Sequence, residues 1–160
     1  MICIGIDPGT ATTGYGVVKE DNGSFICIDL GVIKTSKDLS TSKRLLILNK
    51  TLDKLIKQHS PDFLAVENLY FFKNIKTALP VSQAKGVILL TAEKRKLPIY
   101  EFTPLEIKQS IVGYGRAEKN QVKEMIKIIL NLKEKTKYAD TSDALGVAVC
   151  GLLKEKSLLS

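Results

Sequence analysis

Apolar runs separated by turn residues mark the first third of the chain and predict three consecutive β-strands. The first run ends at Asp7, and Pro8-Gly9 directly after it predicts a turn. Asp21-Asn22-Gly23 is typical of a tight hairpin. The predicted strands cover residues 2–6, 14–18 and 24–33. The chain is therefore expected to open with an antiparallel meander.

The rest of the chain alternates between helical and strand patterns. Leucines at helical spacing between residues 45 and 55 predict a helix that ends near Ser60-Pro61, with His59 placed favourably for the helix dipole. Thr103-Pro104-Leu105-Glu106 predicts a helix start, because it combines a capping box with proline at the first helical position. The other predicted elements are strands at 63–67 and 97–102 and helices at about 77–96 (with Pro80 in its first turn), around 122–130 and from about 140.

This order of elements predicts an α/β fold with a mixed five-stranded sheet and helices on both faces. The 160 residues suffice for one domain with a proper core, so we expect a single domain over residues 1–160. Right-handed crossovers would place the strands that end at Asp7 and Glu67 side by side.

Four acidic residues stand at the ends of these predicted elements. Asp7 and Glu67 each follow an apolar strand, and Asp140 and Asp143 lie three residues apart at the start of the last helix. Crowded carboxylates repel one another unless cations lie among them, and Mg²⁺ or Mn²⁺ prefers such oxygen ligands. A turn cap for Asp7, a helix cap for Asp140 and a dipole role for Asp143 are the structural alternatives.

The net charge of +7 and the pI near 9.3 indicate a polyanionic partner, and a solvated lysine-rich surface is the structural alternative. Three widely spaced cysteines in apolar runs are typical of free core thiols in a reducing compartment. No window approaches a membrane span, and no basic stretch precedes a cleavable apolar segment. We therefore expect a cytoplasmic protein without a membrane partner.

Three aromatic residues in a row, Tyr70-Phe71-Phe72, follow the strand that ends at Glu67. Three consecutive rings in a loop cannot all face inward, so at least one is expected to be exposed. An exposed ring can stack on an unpaired base, whereas core packing is the structural alternative.

These motifs, taken in order, resemble the bacterial RuvC family of Holliday-junction resolvases over nearly the whole chain. The matching segments are Ile6-Asp7-Pro8-Gly9-Thr10, Thr13-Gly14-Tyr15-Gly16-Val17, Val66-Glu67, Gln83-Ala84-Lys85-Gly86-Val87, residues 108–119 and Asp140-x-x-Asp143-Ala144-Leu145. The resemblance implies a ribonuclease-H-like fold, a homodimer, and symmetric nicking of four-way DNA junctions with two Mg²⁺ ions, or Mn²⁺ as a substitute, in each active site. It also implies cooperation with a RuvA–RuvB branch-migration complex.

The same resemblance assigns roles to individual residues. The family's catalytic, metal-binding acids fall on Asp7, Glu67, Asp140 and Asp143, and its two important lysines fall on Lys108 and Lys119. Its junction-stacking aromatic residue matches Tyr70, where relatives often carry phenylalanine. For the homodimer we expect an interface on the helix at about 77–96, with Val81, Val87, Ile88 and Leu90.

Other function classes remain open at this point. The Asp-x-Gly-Thr motif followed by a glycine-containing hairpin also resembles the first phosphate loop of actin-like and sugar-kinase ATPases, although such proteins need two domains around a cleft. A related ribonuclease-H-like nuclease with other substrates and a DNA-binding module without catalysis are further alternatives. Nucleotide hydrolysis separates the first of these from a nuclease, and metal-dependent cleavage of synthetic junctions separates the others.

Overall fold

The computed structural model describes residues 1–9, 11–68, 75–132 and 141–159. Within these segments five strands form one sheet in the order β3-β2-β1-β4-β5. The strands are β1 (Ile2–Asp7), β2 (Thr12–Asp21), β3 (Ser24–Lys34), β4 (Phe63–Glu67) and β5 (Ile99–Phe102). The helices are α1 (Thr41–His59), α2 (Ile75–Lys94), α3 (Pro104–Val112), α4 (Lys119–Ile129) and α5 (Ser142–Leu159).

The sheet is mixed, as predicted. β1 to β3 form the antiparallel meander, whereas β1 and β4, and β4 and β5, are parallel neighbours. Ile6 pairs with Val66, so Asp7 and Glu67 follow directly at the same edge of the sheet. The chain therefore delivers two carboxylates to adjacent strand ends.

Helices cover both faces of this sheet. On one face α1 and α2 enclose a core that includes Ile4, Leu64 and Ile88, and Asn49 of α1 donates a 2.7 Å hydrogen bond to Thr91 of α2. On the other face α3, α4 and α5 pack over a second core. Each large apolar side chain buried in these layers stabilises the fold by about 1.5–3 kcal/mol relative to its exposed state.

Two glycines allow α5 to lie very close to the sheet. A Cβ atom at Gly5 of β1 would stand 2.3 Å from the carbonyl oxygen of Ala144, and one at Gly16 of β2 would stand 2.7 Å from the side chain of Leu145. At Gly5 two backbones approach each other, and only glycine fits there. As a result, the first turn of α5, with Asp143, lies close to the carboxyl end of β1.

Local hydrogen bonds fix the ends of α1 and the start of α3. The Ser40 side chain accepts the N–H of Lys43 at the start of α1. In α3 the capping box is complete: Thr103 Oγ1 accepts the N–H of Glu106 at 3.2 Å, and Glu106 accepts the N–H of Thr103 at 2.7 Å. His59 lies in the last turn of α1, where its Nε2 also shares a 2.9 Å hydrogen bond with the Asp29 carboxylate.

The structure differs from the sequence predictions mainly along α2. This helix begins at Ile75, so Pro80 stands beyond the first turn, where it lacks the N–H that would bond to the carbonyl of residue 76. Val81 and Ile88 are buried in the core of the chain itself. Their assignment to a dimer interface was therefore wrong, whereas Leu90 is 55% exposed.

The remaining predictions concern the starts of β5 and α5, the cysteines and membrane-spanning segments. β5 begins at Ile99 and α5 at Ser142, each two residues after the predicted start. The cysteines are free thiols, and Cys3 and Cys150 are buried. None of the helices in the described segments has the length and apolar content needed to cross a bilayer.

Candidate active site

Three of the predicted acids meet at one edge of the sheet. Asp7 and Glu67 end the neighbouring parallel strands β1 and β4, and their carboxyl groups share a hydrogen bond. Asp143, in the first turn of α5, is near enough for its charge to act on both. The fourth acid, Asp140, lies outside the described residues, as does the predicted stacking residue Tyr70.

Burial and mutual repulsion favour the protonated forms of the two strand-end acids. Burial is the main cause of the raised pKa of Asp7, and the charge of Asp143 adds to it. Burial also raises the pKa of Glu67 to about 8, with a further contribution from the charge of Asp7. Without a cation, the pair therefore retains a proton near neutral pH.

Two lysines stand beside these acids. Lys119, the first residue of α4, places its Nζ 2.6 Å from Asp143 Oδ2, and this hydrogen bond is the main cause of the raised pKa of Lys119. The charge of Lys119 in turn lowers the pKa of Asp7 and of Glu67. Lys108 projects from α3 into the same cleft. The structure thus brings both predicted lysines to the acids.

The cleft itself has a volume of about 200 Å³. Its polar lining is formed by Glu67, Asp143, Lys108 and Lys119, and its apolar wall by residues of α3, α4 and α5. Gly146 lets α4 pack tightly against α5, because a Cβ atom there would lie 2.9 Å from Ile126. This packing fixes the position of the α4 start, and hence of Lys119, relative to Asp143.

The donor chemistry suits a hard divalent cation. In the described segments no three His, Cys, Asp or Glu side chains converge closely enough to hold a metal ion as they stand. However, the carboxyl groups of Asp7 and Glu67 lie so close together that they repel each other when both are charged, and a retained proton reduces this repulsion. A cation between them would reduce it in the same way. Asp143 would join them once Lys119 turned away. These oxygen donors therefore fit Mg²⁺ or Mn²⁺.

A second opening reaches Glu67 from the side of α2, and sequence patterns gave no sign of it. This cavity of about 250 Å³ is bordered by Pro8, Glu67, Asn68 and Lys85, among others. Only 20% of the Lys85 side chain is exposed, and its ammonium is paired with Glu101. No local spacing in the sequence predicts this ion pair, because Lys85 lies in α2 and Glu101 lies in β5.

Comparisons with known proteins decide the family. Residues 3–151 match the family model described as crossover junction endodeoxyribonuclease RuvC. The chain belongs to the RuvC family. Crossover junction endodeoxyribonuclease RuvC of Alkaliphilus metalliredigens is 52% identical over 150 residues, which cover 94% of this chain and 92% of that relative. The RuvC protein of Caldicellulosiruptor saccharolyticus is 50% identical and covers 99% of this chain and 96% of its own length.

Solved structures agree with this assignment. Thermus thermophilus RuvC in complex with a Holliday junction substrate superimposes with a TM-score of 0.92 at 29% identity, over 98% of this chain and 96% of that one. Membership of the RuvC family confirms the resemblance, the predicted fold class and the predicted enzyme class, a crossover junction endodeoxyribonuclease. It also rules out the actin-like kinase alternative.

Proposed function

We propose that this chain resolves four-way DNA junctions by paired symmetric nicks, at an active site built on Asp7, Glu67, Asp140 and Asp143. The observation that carries the proposal is the register of β1 and β4, which places Asp7 and Glu67 at adjacent strand ends with Asp143 and Lys119 beside them. Phosphodiester hydrolysis needs an activated water and positive charge that stabilises the negative charge developing at phosphorus. The acids could hold divalent ions that supply both, and Lys119 adds a further positive charge.

Metal dependence follows from the same cluster. Asp7 and Glu67 would hold one divalent ion between them, and Asp143 with Asp140 would complete the ligand set for two. Mg²⁺, or Mn²⁺ in its place, would activate water and stabilise the charge that develops at phosphorus. The acids must lose their retained proton before they bind the metal, so metal affinity is expected to rise with pH.

Lys119 and Lys108 are proposed to act on the phosphate that undergoes cleavage. Lys119 is exposed over 66% of its side chain and its partner Asp143 is in the acid cluster, so phosphate oxygens and Asp143 compete for one ammonium. Lys108 lines the same cleft from α3, and the capping box fixes the start of that helix. Donors placed there stabilise charge that grows in the transition state.

Tyr70 is proposed to stack on a base at the junction centre. In the sequence it stands three residues after Glu67, the last residue of β4, which leads to the acid cluster. A tyrosine ring offers a stacking surface to an unpaired base, and such stacking is worth about 1–3 kcal/mol per base. The net charge of +7 would supply general attraction to DNA.

A homodimer would match the twofold symmetry of the substrate, because two nicks in opposed strands require two active sites. On α2, Leu79 and Leu90 are 64% and 55% exposed, and Gly86 lies between them at helical spacing with open space where a Cβ would stand. We propose this stripe as the interface. Leu90→Glu should then give a monomer in sedimentation, whereas a dimer of unchanged stability would exclude the stripe.

Cooperation with a RuvA–RuvB branch-migration complex and a cytoplasmic location are proposed from the family resemblance alone.

The nuclease proposal is tested by comparing a synthetic four-way junction with a linear duplex of the same sequence, each incubated with Mg²⁺. We expect nicks at symmetric positions in two opposed strands of the junction and none in the duplex. Nicking of both substrates at similar rates would instead favour a related nuclease without junction specificity.

A further inference from the structure

Lys85 connects three separate elements beside Glu67. Its Nζ donates a 2.8 Å hydrogen bond to Asn68 Oδ1 and forms an ion pair with Glu101. Asn68 is the residue directly after Glu67, and Glu101 lies in the edge strand β5, so one side chain of α2 joins the ends of β4 and β5. The backbone N–H of Asn68 also donates to the carbonyl oxygen of Phe102 at 2.7 Å. Asn68 is therefore held from both its side chain and its backbone.

The burial of Lys85 indicates a structural constraint and not a general attraction to DNA. Four-fifths of its side chain is removed from solvent, and its charge is matched by a carboxylate at close range. A lysine that only attracted phosphate would gain more from an exposed position. The contacts of Lys85 are with Asn68 and Glu101, and Asn68 directly follows Glu67, so the connection from Lys85 to that acid runs through the backbone of Asn68.

We propose that Lys85 is a positioning residue, which fixes the Glu67 carboxylate in the acid cluster by tying Asn68 to Glu101. The inference rests on the proposed nuclease function. Glu67 ends its strand, and Asn68 after it is anchored by its backbone bond to Phe102 and by the bond from Lys85. Misplacement of a catalytic group by about 1 Å costs on the order of 100-fold in rate.

The test measures single-turnover junction cleavage at saturating protein, together with the salt dependence of junction binding. Lys85→Met keeps the apolar stem but removes both polar contacts, and we expect it to slow cleavage by about 10-fold to 100-fold. Lys85→Arg keeps a donor and a charge, and should restore the rate to within about 3-fold of the parent. Glu101→Gln removes the ion pair but leaves the bond to Asn68, so its effect should be smaller than that of Lys85→Met.

A double variant separates positioning from an independent role. Asn68→Ala should slow cleavage about as much as Lys85→Met, and the two together should cost no more than either alone, because both remove the same bond between Lys85 and Asn68. The slope of binding affinity against salt should be the same in the parent and in Lys85→Met. Melting and sedimentation of each variant check that fold and assembly are retained, and Glu101→Gln provides a milder perturbation if Lys85→Met does not fold.

Two outcomes would overturn the inference. If Lys85→Met cleaves at the parental saturating rate while its salt slope falls by about 1, Lys85 is a phosphate contact. If the effects of Lys85→Met and Asn68→Ala multiply, the two residues act separately. Failure of the parent to cleave junctions at all would instead contradict the proposed function, so the two failures are distinguishable.

Discussion

Glu67→Gln should change the way in which the stability of the metal-free protein depends on pH. In the parent, burial and the Asp7 charge raise the pKa of Glu67 to about 8, from 4.5 in its ordinary state. Between these values the folded protein binds a proton that the unfolded chain has lost, so the free energy of unfolding falls as pH rises from about 5 to about 8. Glutamine carries no ionisable proton and can still donate to Asp7.

The size of the effect follows from the same values. The interval from 4.5 to about 8 corresponds to at most about 5 kcal/mol, at about 1.4 kcal/mol per pH unit. Water in the open cleft and the nearby charge of Lys119 reduce it. We expect the parent to lose about 1–2 kcal/mol more than Glu67→Gln between pH 5.5 and pH 8.5.

Urea denaturation in EDTA at the two pH values measures this difference. Glu124→Gln is the matched control, because it makes the same chemical change at a surface carboxylate that is 66% exposed. The control should follow the parent. Added Mg²⁺ should restore stability to the parent at pH 8.5 and much less to Glu67→Gln, since binding to the folded state alone is stabilising. Equal losses in the parent and in Glu67→Gln would refute the account of the acid pair.

Three further predictions concern packing, charge and stacking. Gly5→Ala should destabilise the fold by about 3 kcal/mol or more in urea denaturation, because its Cβ would collide with the Ala144 backbone of α5; unchanged stability would contradict that close packing. Lys119→Ala should slow single-turnover cleavage by about 100-fold with partial rescue by Lys119→Arg, and a parental rate would remove Lys119 from the site. Tyr70→Ala should weaken junction cleavage far more than duplex binding, while Tyr70→Phe should be nearly silent; equal activity of both variants would exclude stacking.

The positions of Asp7 and Glu67 could be predicted from the sequence because each follows a short apolar run, and parallel strands end at one edge. The buried face of α2 could not be predicted from the sequence. Val81 and Ile88 are apolar like Leu79 and Leu90, and a helix with apolar residues on several sides gives no periodic signal for the face that is buried. Only the packing of α2 against α1 and the sheet decides it.

Contacts between distant elements were equally invisible in the sequence. Lys119 and Asp143 are 24 positions apart, and their pairing depends on how Gly146 lets α4 approach α5. The Lys85 contacts join α2, the end of β4 and β5, which no local motif connects. Lysine patterns indicate positive charge, whereas the identity of each partner is fixed only by tertiary packing.

The most direct test of the central claim is Mg²⁺-dependent nicking of a four-way junction labelled in two opposed strands, with the parent, Glu67→Gln and Glu124→Gln at saturating protein. The account predicts symmetric nicks by the parent and by Glu124→Gln, and junction binding without cleavage by Glu67→Gln, because phosphate contacts elsewhere provide the affinity. Nicking by Glu67→Gln at the parental rate would contradict it.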